Sequence, residues 1–404
     1  MAGISQVDSV PLMLFYGQSW MGQNSNNGRV LHENPYPEHA LMLGGYNALV
    51  VRERGAITKP FDDFCPAHDI DEKVQSVVSP FLYRYVAEAL QDGRPPTCVG
   101  HSSAVSGARL EQLLPEHDPH YEANSAGFNN LMLAIDAHLS AAAKRGMGGH
   151  VPYLIFCQGA GNRMMPKDEY VVLLEHLLDT VQAAIVERTG QSDVPHILMI
   201  QPPGKGNGGA WPCLQGQVEL CARRSDITLT VSGWAVEQHD RTHFSGQGAV
   251  AVGELCAIVA RGIEQGTPSG FGAPFIKSVR RKDTQELEVE IAASGEIIVD
   301  TEQSSPRHQV RGAPVPSYGF EAPDKAPSKV AVEARKIVLK FEKDVPQSLA
   351  YAYHAGSDFL ISRNDKSNQS ANRGNLRMKQ GWKSHFLPRN LHHWVASGHM
   401  AIGD

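Results

Sequence analysis

From residue 9 to about residue 266 the chain alternates short apolar runs with longer amphipathic stretches. The apolar runs cover residues 12–16, 151–157, 196–201 and 227–231, and turn residues follow each. Runs this short, apolar at successive positions, predict strands buried on both faces. Three stretches between them carry a helical period instead. Residues 126–144 place Phe128, Leu131, Met132, Ile135 and Leu139 on one stripe. Residues 168–189 align Val171, Leu174, Leu178, Val181 and Ile185 and stop at Gly190, a natural helix terminator. Residues 245–264 align Val252, Leu255, Val259 and Ile263 and stop near Gly266. Strands alternating with long helices predict βαβ units, hence an α/β domain with a mainly parallel sheet in three layers.

The pattern changes at Gly266-Thr267-Pro268-Ser269-Gly270-Phe271-Gly272-Ala273-Pro274, which reads as a linker. Beyond it the long helical period stops. Leu287, Val289 and Ile291 alternate with acidic residues, residues 330–341 form another β-rich run, and 303–328 are crowded with Pro, Ser and Gly. The expected division is an α/β domain over residues 1–270 and a mostly antiparallel, sandwich-like β domain over 275–404. Tyr351, Tyr353 and Trp382 of that second domain read as core more readily than as a sugar platform.

Composition narrows the function. With 42% hydrophobic and 20% charged residues the chain reads as an ordinary globular protein, and its net charge of −6 argues against nucleic-acid binding through a basic field. No apolar stretch approaches the ~20 residues that span a bilayer, so no membrane partner is expected. The apolar run at 10–16 is short for a secretion signal and leads straight into candidate chemistry. Cys65, Cys98, Cys157, Cys213, Cys221 and Cys256 are dispersed and read as reduced thiols. A cytoplasmic location is the expectation, with leaderless export or a place on a virus particle giving the same sequence signs.

Two segments carry the candidate chemistry. Gly17-Gln18-Ser19 follows the first strand, where an α/β sheet presents a nucleophile. His239-Asp240-Arg241-Thr242-His243 precedes a helix, and an Asp three residues before a His can orient its imidazole as a base. Each segment alone also fits plainer roles: Ser19 as a helix cap, Asp240 and His243 as capping groups, or His239, Asp240 and His243 as metal ligands. Gln158-Gly159-Ala160-Gly161-Asn162 follows another strand, so its amides could donate to a developing oxyanion. The turn at Ala104-Val105-Ser106-Gly107-Ala108 offers the Gly107 N–H. The loop Gly204-Lys205-Gly206-Asn207-Gly208-Gly209 lacks the spacing of a phosphate cradle.

Four of these segments, in this order, resemble the signature blocks of the SGNH hydrolase superfamily, in particular its carbohydrate-esterase branch of sialate O-acetylesterases and acetylxylan esterases. They are Gly17-Gln18-Ser19-Trp20, Ala104-Val105-Ser106-Gly107-Ala108, Gln158-Gly159-Ala160-Gly161-Asn162 and Asp240-Arg241-Thr242-His243. The resemblance spans residues 14–250 and implies a flavodoxin-like αβα sandwich. It implies Ser19 as nucleophile, His243 as general base and acid, and Asp240 as the group that orients His243. It implies an oxyanion hole from the Ser19 and Gly107 N–H groups and the Gln158 side chain, with Asn162 as the reserve donor. Gln18 and Trp20 would then border the substrate. The implied activity is serine-dependent removal of acetyl groups from a sugar, through an acetyl-enzyme and with no metal or organic cofactor. Trp20, Ser106 and Ala160 depart from the usual Asn, Gly and Glu, which bears on the shape and polarity of the substrate pocket. The polar run Gln23, Asn24, Ser25, Asn26 and Asn27 beside Ser19 favours a sugar over the acyl chain of a lipase or thioesterase. Outside that branch stand a non-catalytic carbohydrate-binding or structural protein and a metal-dependent hydrolase.

Overall fold

The computed structural model describes residues 9–22, 28–44, 61, 63–69, 73–93, 97–115, 126–203, 211–239, 243–267, 272–300, 316–322, 325–352 and 374–402. Outside them lie the polar run 23–27, the glycine-rich loop 204–209, Asp240, the linker centre 268–271, Tyr353 and much of segment 303–328.

In chain order the first region runs β1 (Ser9–Gly17), β2 (Ala40–Leu43), β3 (Phe64–Pro66), α1 (Val78–Gln91), β4 (Cys98–Ser102), α2 (Ala126–Lys144), β5 (Gly148–Cys157), α3 (Lys167–Thr189), β6 (His196–Gln201), α4 (Pro212–Arg223), β7 (Ile227–Ser232) and α5 (Gly246–Glu264). One seven-stranded sheet holds all its strands in the order β3-β2-β4-β1-β5-β6-β7. Every pairing is parallel except that of the edge strand β3 with β2. Helices α1 and α5 pack together, as do α2, α3 and α4, which gives the three layers. The strand order reverses on the two sides of β1, so the crevice of the doubly wound sheet opens at its carboxyl end.

Local sequence explains most of these elements. Strand β1 is apolar along nearly its whole length because both faces are covered; residues 12–16 are fully buried. Helix α3 stops where expected, at Gly190 with φ +67°, whose N–H closes on the Val186 carbonyl. Helix α5 begins at Ser245, whose Oγ accepts the Gly248 N–H at 3.0 Å. One correction concerns membrane length. By length and composition α5 could cross a bilayer, but 89% of its apolar window is buried, so the apolarity belongs to a core helix.

The second region is all β: β8 (Phe275–Arg281), β9 (Glu286–Ala292), β10 (Ile297–Val299), β11 (Phe320–Glu321), β12 (Lys329–Glu333), β13 (Lys336–Lys340), β14 (Ser348–Tyr351), β15 (Leu376–Met378), β16 (Trp382–Lys383), β17 (Asn390–Leu391) and β18 (Gly398–Ala401). They form a four-stranded sheet β12-β13-β9-β8, a three-stranded sheet β11-β14-β18 and two ribbons, all antiparallel. Leu287, Val289 and Ile291 of β9 point to the core, as their alternation with Glu predicts. Tyr351 is core: its ring meets Trp234 and Phe320, and its hydroxyl accepts the Leu376 N–H at 2.9 Å.

The two regions interlock. Trp234 and Ala235, which follow β7, belong to the β-domain core, while Ala350, Leu387, Leu391 and Ala396 belong to the α/β core. Gln201 at the end of β6 donates to the Ser397 carbonyl and accepts the Ser397 N–H, both at 2.9 Å. Glu254, fully buried on α5, accepts from Arg84 of α1 at 3.2 Å, from the His385 N–H at 2.7 Å and from the Ser384 hydroxyl. Removing one partner from a buried pair of this kind costs about 3–5 kcal/mol, because the other charge stays buried.

Buried histidines set the acid limit of the fold. His101 on β4 and His138 on α2 are fully enclosed, and burial pushes each down to about 4 from an ordinary 6.5. Between about pH 4 and 6.5 the unfolded chain therefore binds more protons than the folded one. Their contribution is complete above that window and is lost as the pH falls through it, roughly 2–3 kcal/mol for each histidine at pH 4.5. Thermal melts should show a drop of several degrees between pH 7 and 4.5. His138 Nε2 meets the Val10 carbonyl at 2.9 Å, a contact that a glutamine N–H can reproduce, so His138→Gln should flatten the drop. A wild-type melting temperature that is constant across the window would contradict this account.

Candidate active site

The site begins with a glycine. Gly17 ends β1 at φ +116°, beside Cys157 at the end of β5. A Cβ there would lie 2.2 Å from the Cys157 carbonyl oxygen, so only glycine fits the approach. That oxygen accepts the Gln18 N–H at 2.8 Å, and the chain then makes a tight turn, closed by Met21 N–H to Gln18 O at 2.9 Å and Gly22 N–H to Ser19 O at 3.1 Å. The Ser102 hydroxyl, at the end of β4, holds the Met21 carbonyl at 2.8 Å. Ser19 thus sits on a turn fastened to the ends of both strands that flank β1.

His243 arrives on a different support. Gln238 and Phe244 pair as an antiparallel bridge, the His239 N–H donates to the His243 carbonyl at 3.1 Å, and the Ser245 N–H donates to the Glu237 carbonyl at 3.0 Å. The His239 ring donates through Nδ1 to the Phe244 carbonyl at 3.0 Å and lies nearly parallel to the His243 ring, with centroids 5.9 Å apart. Trp20 packs on the His243 ring at 6.5 Å. So held, His243 Nε2 lies 3.0 Å from Ser19 Oγ, although 224 residues separate the two. This is hydrogen-bond reach for a base taking the hydroxyl proton.

The remaining expected residues are placed as follows. Gly107 is exposed, at φ +73°, in a turn anchored by the Val105 N–H on the Gly17 carbonyl at 3.0 Å. Among the described residues the Gly107 N–H donates to no acceptor. Gln158 is fully buried, and its Nε2 donates to the Asn162 Oδ1 at 2.7 Å and the Ala108 carbonyl at 3.2 Å. Asn162 Oδ1 also accepts the Leu110 N–H at 2.9 Å, while its Nδ2 donates to Glu111 at 3.0 Å and approaches Met165 Sδ at 3.9 Å. The backbone donor Leu110 N and the backbone acceptor Ala108 O fix the orientation of both amides. Gln18 is buried too: its Oε1 accepts the Gly159 and Ala160 N–H groups, each at 3.0 Å. Gln18, Gln158 and Asn162 therefore lace together the three loops around Ser19. Asp240 lies outside the described residues.

The sequence reading missed two residues of this lacing. Tyr170 of α3 donates to Gln158 Oε1 at 3.1 Å, and Gln217 of α4 donates to the Gln158 carbonyl at 2.6 Å and to the Tyr170 hydroxyl at 3.0 Å. A signal existed for the first, since Tyr170 continues the 174–178 stripe one turn earlier and brings a hydroxyl into the core. Neighbouring cysteines offer no rival nucleophile. Burial raises the Cys157 thiol far above its ordinary value and pushes Cys213 up to about 12, so both stay protonated. Among the described residues no group of three or more His, Cys, Asp or Glu side chains is arranged to hold a metal ion.

The first region is thus a doubly wound αβα sheet with a serine on the turn after its first strand. No family model and no curated protein matches the sequence. The chain shares its fold with a carbohydrate acetylesterase from Xanthomonas citri, at a TM-score of 0.59 and 14% identity over 96% of this chain and 80% of that one. Weaker likenesses join it to a protein from Arabidopsis thaliana (TM-score 0.43, 14% identity, 63% of this chain and 98% of that one) and to a carbohydrate acetylesterase family member from Sinorhizobium meliloti (TM-score 0.33, 15% identity, 62% and 98%).

The support under His243 can be tested directly. A Cβ on Gly248, in the first turn of α5, would lie 2.1 Å from the Glu237 carbonyl oxygen that the hairpin uses. Gly248→Ala should push the hairpin away and draw His243 from Ser19. Displacements of about 1 Å can lower a rate by as much as ~100-fold. The expected result is a folded variant whose Ser19 reacts at least about tenfold more slowly with a fluorophosphonate. Unchanged labelling would show that the hairpin does not hold the histidine.

Proposed function

We propose that the protein is a serine esterase that removes acetyl groups from a carbohydrate. The observation that carries the reading is the 3.0 Å contact between Ser19 Oγ and His243 Nε2 at the carboxyl end of the sheet. In this reading Nε2 takes the hydroxyl proton as Oγ attacks the acetyl carbonyl carbon. The carbonyl electrons move onto oxygen, and the resulting anion is met by backbone N–H groups, that of Gly107 and that of Ser19. As the intermediate collapses, His243 returns the proton to the departing sugar oxygen and leaves acetyl-Ser19. Water then attacks the acetyl group with His243 again as base, which releases acetate. Asp240, three residues before His243, is assigned the orienting role from its spacing.

The expected side-chain donor is revised in this proposal. The Gln158 amide donates to Asn162 Oδ1 and the Ala108 carbonyl, and the Asn162 amide donates to Glu111, so their part is to keep the Gly107 turn and the Ser19 turn in register. Gln18 and Trp20 likewise act from below, Gln18 on the 159–160 backbone and Trp20 on the His243 ring. The chemistry draws on no metal or organic cofactor. The choice of an acetylated sugar rests on the motif resemblance and on what the Xanthomonas citri neighbour is described as cleaving.

Release of p-nitrophenol from p-nitrophenyl acetate tests the mechanism. Wild type should turn over with or without a chelator. Ser19→Ala should lose at least about a thousandfold, in line with removal of an attacking group, while melting within a degree or so of wild type. Chelator-sensitive activity that survives Ser19→Ala would move the chemistry to His239 and its neighbours. No activity in either protein, on this ester or on acetylated xylan, would leave a carbohydrate-binding protein as the better reading.

A further inference from the structure

The β domain reaches the support of His243 through one loop. Strands β16 and β17 pair as an antiparallel ribbon, Trp382 with Leu391 and Lys383 with Asn390, and residues 384–389 connect them. Ser384 folds this connection. Its Oγ accepts the Phe386 N–H at 3.2 Å and the Leu387 N–H at 2.8 Å, while its own N–H donates to the Arg389 carbonyl at 3.1 Å. The Arg389 N–H donates to the Leu387 carbonyl at 2.8 Å. The loop is thus short and closed on itself, with Arg389 at its end in a fixed place.

The two ends of the loop grip different parts of the α/β region. At its start, the Ser384 hydroxyl and the His385 N–H, the latter at 2.7 Å, bind the buried Glu254 of α5, and Leu387 enters the α/β core. At its end, Arg389 Nη1 lies 3.6 Å from Glu237 Oε2, with the two side chains 23% and 30% exposed. Burial pulls the Arg389 guanidinium below its ordinary value, against the charges of Glu237 and Glu254 that hold the proton on. An ion pair this exposed adds little to stability, so what it fixes is position. Glu237 is the residue whose carbonyl receives the Ser245 N–H at 3.0 Å, and Gln238 after it pairs with Phe244 across the hairpin that carries His243.

We propose that Arg389 of the β domain is a positioning residue: through Glu237 it sets the hairpin, and with it the place of His243 Nε2 relative to Ser19 Oγ. Its effect on rate rests on the esterase reading; its effect on position rests on the geometry alone. The two grips of the loop have separate tasks. Glu254 is fully buried on α5, so the bonds of Ser384 and His385 hold the helix that leaves the hairpin. Glu237 lies on the strand that enters the hairpin, and Arg389 holds that side. Arg389 and Glu237 act through His243 rather than on the substrate. A displaced His243 weakens proton transfer in the transition state and leaves ground-state binding alone, so the loss belongs in kcat and not in KM.

The test is steady-state turnover of p-nitrophenyl acetate by the full chain carrying Arg389→Gln, Glu237→Gln, both together, or Arg389→Lys. Each glutamine variant should lose about fivefold or more in kcat, with KM within about twofold of wild type and the melting temperature nearly unchanged. The double variant should lose no more than the worse single one, because both changes remove the same contact. The contact is a single ion pair and not a bidentate fork, so Arg389→Lys should recover at least about half of the wild-type rate. Unchanged kcat, a loss that appears in KM, losses that multiply in the double variant, or no recovery with lysine would each overturn the proposal. The His243 ring resonances, assigned by their loss in His243→Ala, give a readout that needs no turnover and should move in Arg389→Gln. If wild type shows no esterase activity, the reading of Ser19 fails and these resonances decide the positional claim: a shift supports it, and unchanged resonances overturn it.

Discussion

Everything around Ser19 depends on how closely β1 approaches β5 at their carboxyl ends. With Gly17 at φ +116° and no Cβ, the Cys157 carbonyl comes close enough to take the Gln18 N–H, and the backbone is turned sharply out of the sheet. The next residue is the serine. The same turn then becomes a fixture for its neighbours. Gln18 receives two N–H groups from the 159–160 loop, Ser102 holds Met21, and Val105 holds Gly17 itself. A glycine with a positive φ thus converts a buried parallel strand into a rigid platform for one hydroxyl.

The histidine is held by an independent device, and this separation matters. Its hairpin is pinned to the Glu237 carbonyl, to the Ser245 cap of α5 and to the stacked ring of His239. Helix α5 is in turn fixed by Glu254 and Arg84 to the β-domain loop at 383–385. The β domain is therefore part of what fixes the distance between Ser19 and His243. It is more than an appendage to the sheet, and the placing of Trp234 and Ala235 in the β-domain core and of Leu391 and Ala396 in the α/β core says the same.

Legibility followed periodicity. Strands β1, β5, β6 and β7 could be read because covered parallel strands are apolar at successive positions, α2 and α3 because each repeats apolar residues at a helical spacing, and α5 because its larger apolar residues keep that spacing and stop near Gly266, although the helix is buried on nearly every side. Helix α1 could not, since Val78, Ser79, Pro80, Phe81, Leu82, Tyr83 and Arg84 are buried in unbroken succession and leave no stripe. Helix α4 hides behind Pro212 and the buried Gln215 and Gln217. Strand β4 reads Cys-Val-Gly-His-Ser, too short and too mixed to declare itself. Within the site, Ser19 and His243 announced themselves by position at element ends. The partners of Gln158 and Asn162 did not, because a carboxamide takes whichever donors and acceptors the tertiary fold brings, here Tyr170, Ala108 and Leu110.

The central claim is that Ser19 Oγ becomes the covalent carrier of an acetyl group while His243 moves its proton. Rapid acid quenching of the protein during turnover of p-nitrophenyl acetate, followed by peptide mass mapping, reads that directly. The account predicts a population heavier by one acetyl group, located on the peptide at Ser19 and absent from His243→Ala. An acetyl group found at another residue, or steady turnover with no acetylated protein at any quench time, would contradict it.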